Sequence, residues 1–513
     1  MKREDIVIFH YHVRSGGVTS VILLSIRAIA AELPEVRRIR LVVGEEPDAR
    51  LRSVLSSIAA GAGAPRVEIE TVPELRYTLP GQKALPDPDG LSRLLVERWG
   101  GALWWVHNYH LGKNPPFTQA LLSVAGERAE QRILFHIHDL PEAGRLENLK
   151  ELHRSVTLPL YPALPNVRYL VINEQDRRLL VEAGLPGEIV FLLHNPVSSQ
   201  PLPAVDSRQV RERLAESFGR EFPGYSSGSP ILLYPVRTIR RKNVLEAGLL
   251  SALSPDAPNL VVTLPGISPR ELGYSRAIEE RFRRGIVKGL WGIGDRLPEA
   301  GLDFPALAAS ADRLVSTSLQ EGFGYLFVDS LRWRKPLVAR RLDILDGIAD
   351  LLSSPAVRLY EQLLVPIDPA ERAELLAAYD RSIDDVEGAL IHPDALRAAI
   401  RSRLTREAAD FSFLPLEAQS RVIEASGDPG VRAELVRMNA RLLEGLDRMA
   451  APAAALGEAV ERRFGFPSYA AALREILGSF DRVSIPAGAQ GEDVHRRLCA
   501  ASEVPENFRL LLA

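Results

Sequence analysis

The chain has 513 residues, 46% of them apolar and 25% charged, with a formal net charge of −3. That length exceeds what one core supports and predicts two large domains and an extra piece, while the near-balanced charge excludes a global pull towards nucleic acid or an anionic membrane. The single cysteine, Cys499, excludes an internal disulfide and fits a reducing, cytoplasmic compartment; Met1 to Asp5 leads straight into a strand and not a secretory leader, and no run of about 18 apolar residues is present to span a membrane.

Strand and helix signals alternate along the chain, as in parallel α/β sheets joined by crossover helices. Ile6–Phe9 is a predicted strand, followed by the loop HYHVRSGGVTS and an apolar-periodic helix over Val18–Leu33. Further strands are predicted at Leu41–Val43 and Val67–Val72, with a helix near Ala49–Ala60 between them, and Pro73–Gly90 reads as an exposed loop. Gly101–His107 (GALWWVH) and Gln131–His138 (QRILFHIH) read as buried strands that emerge into histidine-bearing loops. A strand at Val167–Ile172, a helix at Glu174–Ala183 and a short strand at Ile189–Leu193 complete the first run. The stretch Ser198–Ser229, with its prolines and SSGS, is the expected interdomain connection. A second α/β run then places strands at Ile231–Tyr234, Asn259–Leu264, Ile286–Leu290, Arg313–Val315 and Pro336–Ala339, with helices at Asn243–Leu253 and Leu307–Ala311.

Ligands in doubly wound sheets bind beyond the carboxyl ends of the strands, so the loops after each strand carry the chemistry. After the first strand, Gly16-Gly17 reads either as a plain glycine turn or as a backbone nest open to a ligand. His136 and His138 lie on one side of their strand by period two. No carboxylate and cysteine set of metal-ligand spacing accompanies them, so no metal is expected; a histidine of this kind alone is usually a satisfied structural residue. In the second run, Arg237 and Lys242 stand five apart on a loop after a buried strand, where two cations suit a diphosphate. The competing reading is a solvated basic loop, and Arg240 and Arg241 are assigned to the surface. The turn Glu321-Gly322-Phe323-Gly324 precedes a helix whose free N–H groups and dipole favour phosphate. Asp329, eight residues after Glu321, is placed to reach ribose hydroxyls.

The EGFG turn with its trailing acid, the Arg237/Lys242 pair, the GGV loop and the HDL string after a buried strand together resemble the retaining glycosyltransferases of family 4, which have the GT-B architecture. The resemblance runs from about Ile6 to about Ala425. It implies two Rossmann-like doubly wound α/β domains facing each other across a cleft. It also implies transfer of a hexose from a UDP- or GDP-linked sugar to an acceptor that is acidic or a small molecule, with no metal and no other cofactor. Carried over residue by residue, it assigns His138, Arg237, Lys242 and Glu321 to catalysis. Gly16, Gly17, Gly266, Gly322, Phe323, Gly324 and Asp329 would bind the donor. His107, Asn108 and His136 are acceptor-side candidates.

The sequence departs from the family in several places, among them Asn173 for a serine and Pro196 for a glycine. Aspartate stands at 329 where the family has glutamate. Arg340-Arg341-Leu342-Asp343-Ile344-Leu345-Asp346 replaces a small-residue turn, and its cationic start favours an acidic partner or is mere surface. Asp410-Phe411-Ser412-Phe413 matches the family's closing motif, but helices beyond Gly427 lie outside the pattern. The expected domains are 1–200, completed by a helix over 412–425 that crosses back; 228–411 as the nucleotide-sugar-binding domain; and 427–513 as a helical extension. Homo-oligomer contact, a cap on the acceptor site and simple packing are all open for that extension. Two other functions share the motifs: a GT-B nucleotide-sugar epimerase and a catalytically silent nucleotide-sugar-binding protein.

Overall fold

A computed structural model describes residues 4–14, 16–59, 64–78, 82, 85–198, 200–267, 269–405, 407–482 and 493–509. The chain forms two compact units, 1–199 with 386–392 and 461–503, and 200–385 with 393–460 and 504–513.

The first unit is built on a seven-stranded sheet: β1 Glu4–His10, β2 Val36–Val43, β3 Arg66–Thr71, β4 Leu103–His107, β5 Ile133–Ile137, β6 Val167–Val171 and β7 Val190–Leu192. Their order is β3-β2-β1-β4-β5-β6-β7, and every pairing is parallel. Every residue of β4, β5 and β6 is buried, which is why these strands read as unbroken apolar runs instead of alternating ones.

The second unit has six parallel strands: β8 Ile231–Arg237, β9 Asn259–Leu264, β10 Gly289–Trp291, β11 Arg313–Ser316, β12 Leu337–Arg340 and β13 Val357–Tyr360, in the order β10-β9-β8-β11-β12-β13. A two-stranded antiparallel pair, β14 Leu364–Pro366 and β15 Ala408–Asp410, lies beside it in sequence. β10 starts later than the periodicity predicts. The amides of Ile286 and Val287 bond back to the Arg281 carbonyl (2.9 and 3.2 Å), closing the preceding helix, with Gly285 at φ 72°.

Two expected boundaries are corrected. The helix over 412–425 does not complete the first domain: Leu416–Ala425 packs on the helix Val244–Leu253 of the second unit. Gln419 Nε2 bonds the Phe411 carbonyl (3.0 Å), and Arg281 bonds Ser420 and Glu417 (2.9 and 2.8 Å). The stretch 427–513 is likewise no separate extension, since its parts belong to different units. In the first unit, the helix Phe466–Ser479 buries Tyr469, Leu473 and Ile476 in the core beside Gly17–Glu32. The Tyr469 hydroxyl lies 2.7 Å from Ser25 Oγ, and the buried Arg168 bonds Ser479 Oγ (2.9 Å). These apolar faces are spent inside the chain.

Candidate active site

Each sheet reverses its strand order once, between β1 and β4 in the first unit and between β8 and β11 in the second. A doubly wound sheet opens a ligand crevice at such a point, because the crossovers leave in opposite directions. Arg237 ends β8, with Lys242 in the loop after it and Glu321 in the loop after β11; Gly16 and Gly17 follow β1, and His107 ends β4, with Asn108 next.

In the second unit the two loops are tied to each other by side-chain and backbone contacts. Lys242 Nζ forms an ion pair with Glu321 Oε1, with only 12% and 15% of the two side chains exposed. The Thr317 hydroxyl donates to the carbonyls of Lys242 and Asn243 (3.1 and 3.0 Å), and the Leu319 amide donates to the Arg241 carbonyl (2.8 Å). The Tyr234 hydroxyl lies 2.9 Å from the Lys242 carbonyl and 2.8 Å from Ser318 Oγ. Burial alone would raise the Glu321 carboxyl, but the charges of Lys242 and Arg241 outweigh it and hold the group below the ordinary carboxylate value. Glu321 is therefore ionised at neutral pH. Asn243 takes a left-handed turn (φ 49°) that starts the next helix, a conformation asparagine tolerates.

Gly324, also left-handed at φ 75°, starts the helix Tyr325–Arg332, and a Cβ there would meet the Phe327 ring at 2.8 Å. Phe323 is buried edge-on to Tyr325, 5.0 Å between centroids. Asp329 lies one turn into that helix, where Arg332 Nη1 bonds it at 2.6 Å. Burial raises its carboxyl to about 6, against the opposing pull of Arg332. Gly266 has a packing reason of its own: its N–H donates to Ser275 Oγ (2.9 Å), and a Cβ would stand 2.8 Å from the Thr238 carbonyl.

Two arginines assigned to the surface or to partner recognition are internal. Arg240 is 9% exposed, with its guanidinium towards the Ser412 and Leu414 carbonyls (both 3.4 Å). Arg340 is buried and bidentate to both Glu246 and Asp410, with contacts from 2.6 to 3.0 Å. Its charge is thus neutralised within the fold, so Arg340 itself is not presented to a partner. Arg341 is exposed and paired with Asp346 (3.0 Å).

In the first unit, the exposed Gly16 starts the helix Gly17–Glu32 in extended backbone, without a side-chain cap. A Cβ at Gly17 meets nothing within 4 Å, so packing does not demand glycine there. His107 at the end of β4, His136 within β5 and His138 just after it lie together and are all buried. His107 Nδ1 is 2.8 Å from His138 Nε2, and Trp105 Nε1 donates to His136 Nδ1 (3.2 Å). Asn108, left-handed at φ 54°, accepts the His138 amide on Oδ1 (2.8 Å). Burial, followed by the charge of nearby His110, pushes His138 down to about 4 even against Asp139; His107 and His136 fall well below their ordinary value for the same first cause. The three rings are neutral at physiological pH. Among the described residues one nitrogen of each ring comes within 4.8 Å of those of the other two, and Nε2 of His107 and Nε2 of His136 are buried without a hydrogen-bond partner.

No family model matches the chain. Mannosylglucosyl-3-phosphoglycerate synthase of Petrotoga mobilis is 30% identical over 427 residues, covering 82% of this chain and 80% of the relative. The chain belongs to the family 4 glycosyltransferases. Solved structures agree on the fold. HepE of Anabaena in complex with UDP-glucose superimposes with a TM-score of 0.52 at 14% identity, over 93% of this chain and 100% of that one. Sucrose-phosphate synthase of Thermosynechococcus elongatus gives 0.52 at 14%, over 94% and 100%. The transferase therefore has the GT-B fold, and no helix among its described residues is long and apolar enough to cross a membrane.

Tyr234, Thr317, Ser318 and Asn243 were not singled out from the sequence. Tyr234 and Ser318 carry no motif. Asn243, directly after a basic run and before an apolar helix, carries a legible capping signal.

Proposed function

We propose that this glycosyltransferase moves a hexose, with retention, from a nucleoside diphosphate sugar to a phosphorylated acidic acceptor of the glycosyl-3-phosphoglycerate kind. The observation that carries the donor half is the ion pair of Lys242 with Glu321, which joins the two switch-point loops of the second unit. The relative's name supports the acceptor half: forming a mannosylglucosyl-3-phosphoglycerate adds a sugar to a phosphorylated acid.

In this reading Arg237, Lys242 and the amides at Phe323 and Gly324 stabilise the charge that develops on the departing diphosphate, usually the largest electrostatic contribution in such transfers. These groups supply the positive charge, so no divalent cation is needed in the step. Glu321, held as a carboxylate, fixes the Lys242 ammonium and accepts hydroxyls of the donor sugar. The departing phosphate takes the acceptor hydroxyl proton on the face where the new bond forms, which retains the anomeric configuration. Asp329 accepts ribose hydroxyls, and His138 supports the sugar as a neutral imidazole. An epimerase needs a carboxylate free for proton removal at the sugar, whereas Glu321 is committed to Lys242 and Asp329 to Arg332.

The test incubates the protein with GDP-mannose or UDP-glucose and glucosyl-3-phosphoglycerate, then reads product mass and anomeric configuration by NMR. A glycosylated phosphoglycerate with the donor's configuration, formed without added magnesium or manganese, is the expected result. Inverted product, or free epimerised nucleotide sugar, contradicts it.

A further inference from the structure

A second polar cluster in the first unit plays no part in that chemistry. It forms where the helix Val494–Ser502 meets the helix Leu146–Ser155 and the segment after β5. Glu142, 2% exposed, accepts on Oε1 from the Tyr161 hydroxyl (2.9 Å) and contacts His495 Nδ1 (2.6 Å). A carboxylate at that distance accepts a hydrogen bond from Nδ1–H, which keeps the imidazole proton there and leaves the Nε2 lone pair facing the other way. Nε2 of His495 lies 2.6 Å from Nε2 of His153 and 3.8 Å from Sγ of Cys499, the chain's one cysteine. His495 and Cys499 are four residues apart and so share a helix face. His153 comes from the opposite helix and is exposed, which opens the cluster to solvent.

A histidine held from behind by a carboxylate, with its second nitrogen beside further nitrogen and sulfur donors, is how metal-bound imidazoles are oriented. We propose that His153, His495 and Cys499 bind a zinc-class divalent cation, with Glu142 orienting His495 and a solvent oxygen completing a tetrahedral site. A mixed set of two imidazoles and one thiolate suits zinc or cobalt and not magnesium or calcium. Binding displaces the thiol proton to solvent and shifts the His153 proton to its Nδ1, so His153 turns modestly to close the set.

The alternative use of the same residues is a Cys-His-Glu nucleophile. Burial, then the nearby Glu142 and Glu503 charges, push the Cys499 thiol up to about 12, the reverse of what a nucleophilic cysteine needs. The bound cation would staple the helix Val494–Ser502 to Leu146–Ser155, in the segment that carries the Asp139–Arg145 ion pair (2.9 Å) after β5.

The experiment titrates the full chain, stripped of metal, with zinc against a chromophoric chelator and with cobalt by absorption. His153→Ala, Cys499→Ser and His107→Asn serve as variants. The expected result is a single equivalent bound at least about tenfold more tightly than by His153→Ala or Cys499→Ser. Cobalt should give a thiolate charge-transfer band that Cys499→Ser lacks, and His153→Ala and Cys499→Ser should keep wild-type glycosyl transfer. Because His153 is exposed, its alanine variant reports binding without disturbing packing. Equal affinity in wild type, His153→Ala and Cys499→Ser, or a loss confined to His107→Asn, overturns the proposal.

Discussion

Lys242 and Glu321 do two jobs at once, and substitution separates them. Lys242→Ala leaves a nearly buried carboxylate without its cation, a change that costs about 3–5 kcal/mol in comparable pairs. The motif alone gives no reason to expect that cost; a reading of Lys242 as a phosphate contact predicts lost turnover in an intact fold. We expect a lowered melting temperature as well as lost turnover, and recovery of stability without activity in Lys242→Met/Glu321→Gln. The pH dependence has a definite sign. Glu321 sits below its ordinary 4.5, so the pair's stabilisation is fully present above that value and is lost as pH falls through the depressed one. Thermal melts of wild type and Lys242→Ala should therefore converge in acid and diverge towards neutrality; curves that stay parallel contradict the ionised pair.

At the scale of elements, two glycine-started helices make opposite predictions. Gly324 has a positive φ and a ring 2.8 Å from any added Cβ, so Gly324→Ala should destabilise the second unit by more than about 1 kcal/mol. Gly17 has open space around it and no such φ, so Gly17→Ala should leave the melting temperature unchanged and raise a substrate KM. An unchanged KM would reduce the GGV loop to a simple turn. The strands were legible because burial on both faces writes unbroken apolar runs, and the loops because glycine and paired cations at strand ends are unusual. Arg340 was not legible. An arginine after an apolar strand reads as surface, and only the fold reveals that Glu246 and Asp410 converge on it from 94 and 70 residues away. Arg340→Leu strands two buried carboxylates and should cost about 3–5 kcal/mol in chemical denaturation, with relief from Glu246→Gln/Asp410→Asn. A variant as stable as wild type would mean that the network carries no net weight.

At the scale of the whole molecule, two doubly wound units are legible as alternating strand and helix signals, whereas the helices after residue 411 divide between the two units in a way that their own sequence does not show. A run of amphipathic helices shows which face is apolar and not which sheet that face covers. Gln419 on Asn243 and Tyr469 on Ser25 decide it here, and both are tertiary contacts without a local signature. The family reading rests on loops from both units, so a test must separate donor grip from the reaction itself. Arg237 and Lys242 belong to the unit that would hold the nucleotide, and His138 to the other. The most direct measurement is calorimetric titration of the nucleoside diphosphate of the active donor into wild type, Arg237→Ala and His138→Ala. Binding lost by at least about tenfold in Arg237→Ala and kept in His138→Ala is the predicted result; equal affinity in wild type and Arg237→Ala would contradict a diphosphate held by the cations at the carboxyl end of β8.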